Sequence, residues 1–470
     1  MDSKQWQNQT PFLPLGTIYA ASLLRENDFK VSLFDTALKD SPTQISPFLK
    51  QVKPDILVIY DDGFNYLTKM CLTNMREACF EMVKLAKEKD ITVIVSSSDA
   101  TDNAKLYLKK GADFILYGEA ETTLLELTKA LQQNISTVAL SKIEGLYFKN
   151  QNKVIKTKPR KVLKNLDELP FPAWDLIDVA SYKKVWKNSK FPFTLNLATT
   201  RGCPYHCNWC AKPIYGQRYN SHSPKRVVEM IQYLTKNYQT NRFWMCDDIF
   251  GLKPNWVQEF NELLKKENLK ISYYIQSRAD LLLKENTIDA LAESGLEEVW
   301  IGAESGSQKI LDAMDKGTTI AQIKKATKLL KEKGIKVAFF IQYGYLGETK
   351  EDINKTLQLI KELKPDNIGV SVSYPLPETP FYKKVKHQFK DKTNWKDSDD
   401  LALLFKSTYN QDYYRKLQRY THKIFRITKA FSFIKSGEIL SNLRAVILLG
   451  YYIPSSLIDK FILNRMQNHV

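Results

Sequence analysis

Phe193-Thr194-Leu195-Asn196-Leu197-Ala198-Thr199-Thr200-Arg201-Gly202-Cys203-Pro204-Tyr205-His206-Cys207-Asn208-Trp209-Cys210 is a strand-like run that ends in a cysteine-rich loop. A helix-like run follows from Pro224 to Tyr238. Three of the chain's six cysteines fall within eight consecutive residues, so this loop concentrates whatever sulfur chemistry the chain has. Thiolates are soft ligands suited to iron–sulfur clusters and zinc, and gaps of three and two residues let one short loop wrap a compact inorganic core. Three thiolates satisfy three irons of a cubane and leave the fourth open. An open iron can bind a small chelating molecule and pass it an electron. Zinc is the competing reading: it wants a fourth ligand, which His206 or Cys246 could supply. A disulfide needs an oxidising compartment, and nothing in the chain suggests export.

Outward from this stretch, strands and helices alternate. Between Phe193 and about Phe381 the candidate strands are Phe193–Thr199, Arg242–Cys246, Ile271–Gln276, Glu298–Gly302, Val337–Tyr343 and Ile368–Tyr374. Six such units predict an open, partial parallel barrel, whose chemistry gathers at the carboxyl ends of the strands. Asp247-Asp248, Ser277-Arg278, Gly302-Ala303-Glu304-Ser305-Gly306, Gly344-Tyr345-Leu346-Gly347-Glu348-Thr349 and Pro375-Leu376-Pro377-Glu378-Thr379-Pro380 fall there. From Pro14 to about Leu131 a second alternation predicts an open parallel sheet: helix Leu15–Glu26, strand Lys30–Phe34, strand Asp55–Tyr60 and a helical pattern to Lys89. Strand Ile91–Val95, helix Thr101–Lys110, strand Phe114–Tyr117 and helix Glu121–Leu131 complete it, with any ligand at the strand ends. Gly145–Lys164 reads as a weakly patterned basic connector leading to the stiff Leu169-Pro170-Phe171-Pro172-Ala173-Trp174-Asp175 crossing. The expected organisation is α/β in residues 1–140, a linker in 141–190, a barrel in 191–382 and helix in 383–470.

The CxxxCxxC pattern, with aromatic Trp209 before its last cysteine, resembles the radical S-adenosylmethionine (SAM) superfamily. In that family the open iron is chelated by the amino and carboxylate groups of SAM, and reductive cleavage gives a 5′-deoxyadenosyl radical. Pro14-Leu15-Gly16, Phe34-Asp35, Lys53-Pro54-Asp55, Gly118-Glu119-Ala120-Glu121-Thr122 and the Leu169–Asp175 segment are similar to the branch that carries a cobalamin-binding domain before the radical domain. The resemblance implies an N-terminal Rossmann-like cobalamin-binding-type domain, a partial (βα)6 barrel of radical SAM type and a helical C-terminal subdomain. It implies a [4Fe–4S] cluster on Cys203, Cys207 and Cys210, and SAM contacts from Trp209, Asp248, Arg278, Glu304, Ser305 and Gly344. For cobalamin, which the branch admits, it implies Leu15, Gly16, Ser97, Gly118 and Glu119. Two departures bear on that cofactor. The dozen residues before Leu15 do not read as the family's first strand, so the sheet is expected to lack it. Its glycine pair is Ser96-Ser97-Ser98 here, which puts side chains where a bulky ligand needs bare backbone. The reaction expected is hydrogen abstraction from an unactivated carbon, leading with cobalamin to methyl transfer and without it to rearrangement, cyclisation or oxidation.

The chain's 470 residues carry a formal charge of +17 and no signal-peptide pattern at Met1–Thr10, which leaves the cytoplasm as the expected compartment. The last 90 residues hold 17 Lys plus Arg against 7 Asp plus Glu, with Tyr413, Tyr414, Leu417, Tyr420 and Ile424 recurring at helical spacing. A helical cap over the barrel mouth is the plain reading, and a lipid- or RNA-facing surface the sharper one. The apolar run Ala445–Ile453 is nine residues where a bilayer needs roughly 20, so no spanning helix is expected, while peripheral membrane contact stays open. The expected partners are a small-molecule or lipid substrate and an external electron donor such as flavodoxin or ferredoxin. The non-enzyme alternative is a zinc-stabilised, basic nucleic-acid-binding protein.

Overall fold

Apolar runs buried on both faces need parallel neighbours and helices above and below, and the chain forms two such sheets. The computed structural model describes residues 7–61, 63–64, 72–133, 135–212, 214–398, 400–434 and 439–467. In the first sheet β1 (Ile56–Tyr60), β2 (Thr92–Ser96) and β3 (Phe114–Leu116) lie parallel in that order. Helices α1 (Leu15–Arg25), α2 (Ile45–Val52), α3 (Thr73–Lys87) and α4 (Glu121–Gln132) accompany them. Shorter helices are named by residue.

Several expectations change in this half. Lys30–Phe34 joins no ladder. Between it and the edge of β1 lies a cavity of about 1440 Å³, lined on its edges by Val31, Leu33, Ile56 and Val58 and on its faces by Phe48 and Leu131. The expected first strand has no counterpart among the described residues, and the cavity occupies the layer such a strand would fill. Protein interiors seldom leave voids much larger than a water molecule, so this is a structural gap. The helix expected over Thr101–Lys110 breaks at Asn103 into Ser98–Asp102 and Ala104–Lys109. Its side-chain amide donates back to the Asp99 carbonyl (3.1 Å), a local bond that competes with helix. The connector also contains structure: β4 (Leu146–Asn150) and β5 (Lys153–Lys156) form a hairpin that extends the sheet antiparallel from β3. Gln151 takes the positive φ the tight turn needs, and exposed Lys153 and Lys156 on the edge strand discourage further pairing. Cys79 is buried in α3, whereas Cys71 lies outside the described residues.

The second sheet has six parallel strands in chain order: β6 (Leu195–Leu197), β9 (Arg242–Met245), β10 (Ser272–Ser277), β11 (Leu296–Glu304), β12 (Lys336–Tyr343) and β13 (Asn367–Val372). A two-stranded ribbon, β7 (Thr200–Arg201) with β8 (Asn220–Ser221), stands apart from it. The main helices are α5 (Pro224–Tyr238), α6 (Trp256–Lys266), α7 (Ile320–Glu332) and α8 (Lys350–Leu363). Ser223 caps α5, and Thr319 and Thr349 begin α7 and α8 with capping boxes. Phe243, Met245, Ile275, Val299, Ile301 and Phe339 are fully buried along the strands. Parallel strands with crossover helices place every strand's carboxyl end on one side, where the loops can converge.

The last elements are α9 (Gln411–Ile434) and α10 (Ile439–Gln467). Helix α9 rests on the barrel: Gln418 donates to the Val370 carbonyl (3.2 Å), and Thr421 meets the Tyr343 hydroxyl (3.0 Å). The expectation of no spanning-length helix fails here. One helix runs through Pro454, and its Ala445–Met466 stretch, mean hydropathy 1.5, is long and apolar enough by length and composition to cross a membrane. Pro454 takes away the backbone donor that would reach the Gly450 carbonyl, yet the helix continues through it, with the Ser455 and Ser456 hydroxyls donating to the Tyr452 and Ile453 carbonyls (3.3 and 2.8 Å) in the next turn.

Candidate active site around the cysteine loop

The cysteine loop is built as a closed unit. Its ends are stapled by the β7–β8 ribbon, with Thr200 opposite Ser221 and Arg201 opposite Asn220. Asp247, at the carboxyl end of β9, anchors the strand leading in: its carboxylate accepts from the Thr199 and Thr200 amides (2.7 and 2.8 Å) and the Thr199 hydroxyl (2.6 Å). Burial pushes this carboxyl up to about 7 despite those donors. Gly202 has φ +80°, and a Cβ there would stand 2.4 Å from the Arg218 carbonyl oxygen, so glycine alone closes the loop. Cys203, Cys207 and Cys210 are all half-buried and none is in a disulfide. Burial pushes the Cys203 thiol up, and the Lys212 ammonium works against it. His206 is exposed.

Arg278, at the end of β10, is buried against this loop. Its guanidinium stacks on the Tyr205 ring at 3.7 Å and donates to the Cys207 sulfur (3.9 Å), the Lys316 and Gly317 carbonyls (2.7 and 3.2 Å) and Asp280 (2.9 Å). Every face of the fork is used within the protein, so Arg278 positions Cys207. At the end of β11 the ladder with β12 bulges between Gly302 and Glu304. Glu304 adopts φ +56°, a left-handed conformation that costs a residue with a side chain on the order of 1–3 kcal/mol. That turn aims its carboxylate at the buried Lys316 ammonium, 2.7 Å away. Gly302 leaves the room: a Cβ there would meet Lys316 Nζ at 2.5 Å and Glu304 Oε1 at 2.6 Å. Burial disfavours the charged Lys316, but Glu304 and Cys207 outweigh it and hold its ammonium above the usual lysine range. The Ser305 hydroxyl instead faces Thr356 of α8 (3.2 Å).

Asn208 ties the loop to the segments that follow β11, β12 and β13. Its amide nitrogen donates to the Ala313 carbonyl and Asp315 (both 2.8 Å), and its side-chain oxygen accepts from the Tyr345 hydroxyl (2.6 Å). Its backbone pairs with Met314 and Phe381 (both 3.0 Å). Trp209 packs beside it against a cluster that includes Met314, Tyr345 and Phe381. Asp248 is exposed beside Cys203.

At the end of β12, Gly344 has φ +79° and a Tyr414 ring 3.4 Å from where a Cβ would be. Its amide donates to Glu348 (2.7 Å), a fully buried acid whose other oxygen has no hydrogen-bond partner. Burial pushes the Glu348 carboxyl up to about 8, so it is protonated at neutral pH. A carboxyl raised in the folded state stabilises fully below its ordinary value near 4.5, and that contribution drains away as pH rises towards 8. We expect Glu348→Gln to flatten this part of the stability profile, removing a slope of up to about 1.4 kcal/mol per pH unit, as measured by chemical denaturation across that window.

The N-terminal half meets the cysteine loop chiefly around Arg201. Arg201, two residues before Cys203, forms buried ion pairs with Glu119 and with Glu121 (2.8 Å), and its guanidinium lies 5.1–5.6 Å from the Tyr19, Phe64 and Tyr215 rings. Glu119 also accepts from the Leu163 amide (2.5 Å). Gly118, φ +74°, passes the Ile214 carbonyl of the loop.

Three comparisons with known proteins bear on this geometry. A family model described as the radical SAM superfamily matches residues 197–360. An uncharacterized methyltransferase of Pyrococcus horikoshii is 30% identical over 372 residues, covering 78% of this chain and 77% of the relative. The chain belongs to the radical SAM superfamily. An anaerobic magnesium-protoporphyrin IX monomethyl ester cyclase of Rubrivivax gelatinosus is 27% identical over 380 residues, covering 79% of this chain and 66% of the relative. Among solved structures, the cobalamin-dependent SAM radical enzyme OxsB with aqua-cobalamin bound superposes with a TM-score of 0.75 at 19% identity, covering 96% of this chain and 70% of that one.

Whether the residues suit the cofactors of radical SAM proteins differs by cofactor. Among the described residues no group of three or more His, Cys, Asp or Glu side chains gathers around a point as for a single metal ion. Three thiols on one stapled loop, with Arg278 and Lys212 beside two of them, suit a cluster, since nearby cations favour thiolate. The cobalamin expectations fit unevenly. Leu15 and Gly16 are buried in the first turn of α1. The Ser97 hydroxyl accepts from the Ala100 amide (2.9 Å) as a helix cap, and Glu119 is held by Arg201. Of these residues only Ser97 borders the cavity, which reaches Tyr60-Asp61 and Ser96-Ser97 at the strand ends. Asn208, Lys316 and Arg201 are the residues that sequence reasoning missed. A polar residue inside the cysteine motif and an arginine just before it were the available signals.

Proposed function

We propose that this radical SAM enzyme holds a [4Fe–4S] cluster on Cys203, Cys207 and Cys210 and acts on a small-molecule or lipid substrate. The observation that carries the residue assignment is the stapled loop with three unbridged, half-buried thiols at the carboxyl ends of six parallel strands. When bound, cluster and SAM together supply a reductively generated radical able to take hydrogen from an unactivated carbon. The chain's own part is placement. Arg278 holds Cys207, Asn208 fixes the loop to the ends of β11 and β12, and Trp209 keeps its floor apolar. The Lys316–Glu304 pair sits beside Cys207, and exposed Asp248 stands beside Cys203 for polar groups of SAM, whereas the Gly344 amide is taken by Glu348. An electron donor such as flavodoxin or ferredoxin and a cytoplasmic setting belong to the same reading.

Methyl transfer to carbon is the favoured outcome, on the methyltransferase relative at 30% identity. The cyclase relative favours a cobalamin-assisted or cobalamin-free ring closure as the second reading. Protein purified anaerobically and reconstituted with iron and sulfide should be brown, give a reduced-cluster electron paramagnetic resonance signal, and show that signal altered by SAM. A colourless protein with one tetrahedral zinc would overturn the proposal. Retention of a corrinoid through purification distinguishes the methyl-transfer reading from cobalamin-free chemistry.

A further inference from the structure

We infer that the α9–α10 hairpin docks the enzyme in the plane of an anionic lipid surface. Helix α10 is built inside out. The side it turns to α9 carries Ala445, Leu449, Tyr452, Ser456, Asp459 and Leu463, a heptad-spaced seam that is small or polar at half its positions. Asp459 is held in that seam by Lys416 and Lys423 of α9 (3.3 and 2.6 Å), and Lys423 also donates to the Ser455 carbonyl (3.2 Å). The opposite side presents Val446, Ile447, Tyr451, Leu457, Ile458 and Phe461, each 58–66% exposed. Among the described residues, ten of the twelve exposed large apolar side chains belong to this hairpin, the remaining four being Leu448 and Ile453 on α10 and Phe431 and Ile434 at the end of α9. Soluble surfaces do not gather apolar groups in this way without a partner.

Charge selects the partner. The two helices carry nine Lys or Arg and two Asp, and Asp459 is buried. Arg419, Arg426, Lys460 and Arg465 are exposed, with Arg465 over the Phe461 ring (5.3 Å) and Arg426 on the Tyr452 hydroxyl (2.6 Å). Apolar side chains beside basic ones match an acyl boundary under anionic headgroups. The Lys416–Asp459–Lys423 cluster and exposed Lys460, all inside the Ala445–Met466 stretch or packed against it, argue for a helix lying in the interface, because spanning would carry these charges into hydrocarbon. This surface lies on the side of the chain that covers β12 and β13, so it brings a membrane to the barrel without depending on the reaction assigned above.

The full chain should sediment with phosphatidylcholine vesicles containing phosphatidylglycerol, and much less with phosphatidylcholine alone. Added salt should weaken sedimentation, as screening requires. The double variant Ile447→Asp, Ile458→Asp, both sites exposed, should fold with unchanged circular dichroism and lose vesicle affinity about tenfold or more. Lys460→Gln with Arg465→Gln should lower affinity only for the anionic vesicles. Failure to sediment with either vesicle overturns the inference, as does binding indifferent to the aspartates. Sedimentation equilibrium showing a dimer that the aspartates dissociate would assign the face to a second copy instead and equally overturn it. Because vesicle binding is read without turnover, its failure is distinguishable from a failure of the cluster assignment.

Discussion

Alanine in place of Cys207 should leave anaerobically reconstituted protein pale, with the charge-transfer absorbance and the release of 5′-deoxyadenosine both at background. Cys203→Ala and Cys210→Ala are expected to behave the same way. Each variant removes one of three soft ligands from a loop whose backbone is fixed independently by the β7–β8 ribbon, Asp247 and Asn208, so the loop survives while the cluster does not. The control decides between metals. Cys246 is buried at the end of β9, with its thiol directed at the Leu197 carbonyl (3.5 Å), and His206 is exposed. Cys246→Ala and His206→Ala therefore keep colour and product. If either abolished both, a fourth protein ligand would be needed and the zinc reading would return. Iron content, absorbance and product chromatography measured on all five variants check this.

Arg201→Met carries the largest expected cost in stability. The guanidinium is buried between the Glu119 and Glu121 carboxylates, and breaking such an arrangement from one side typically costs about 3–5 kcal/mol, because charges remain without compensation. Glu121 already has one buried oxygen lacking a partner, and burial already pushes the Glu119 carboxyl up. Without the arginine Glu119 loses the cation that favours its ionisation, so its folded-state value rises further. A group raised in the folded state stabilises below its unfolded value and loses that contribution as pH climbs. The variant is therefore closest to the parent in mild acid and falls away towards alkaline pH. Denaturation midpoints at several pH values test this, and a pH-independent difference would show that lost packing on Tyr19, Phe64 and Tyr215 dominates.

The barrel was legible because its strands are apolar on both faces and separated by capped helices, a pattern that leaves few alternatives. The six strands pair in chain order, although β6 is shorter than its apolar run because Thr199 and Thr200 turn to Asp247. The N-terminal half was less legible. The residues described before Leu15 form no strand, as expected, but it could not be read that Lys30–Phe34 would join no ladder, since pairing depends on a neighbour and not on local propensity. The β4–β5 hairpin hid behind lysines that look like linker and serve as edge protection. In the candidate site the thiols announced themselves by spacing, whereas Arg278, Ser305 and Glu119 were visible as residues and not as partners. Their bonds to Cys207, Thr356 and Arg201 span 71, 51 and 82 positions of sequence.

The contacts of Asn208 impose an order on biosynthesis. Its partners lie at Ala313–Asp315, Tyr345 and Phe381, so the ribosome releases the cysteines long before it releases the residues that hold their loop in place. At roughly 5–20 residues per second, the interval between Cys210 and Phe381 is on the order of ten to thirty seconds. The loop therefore reaches its final set of contacts only after Phe381 has been made.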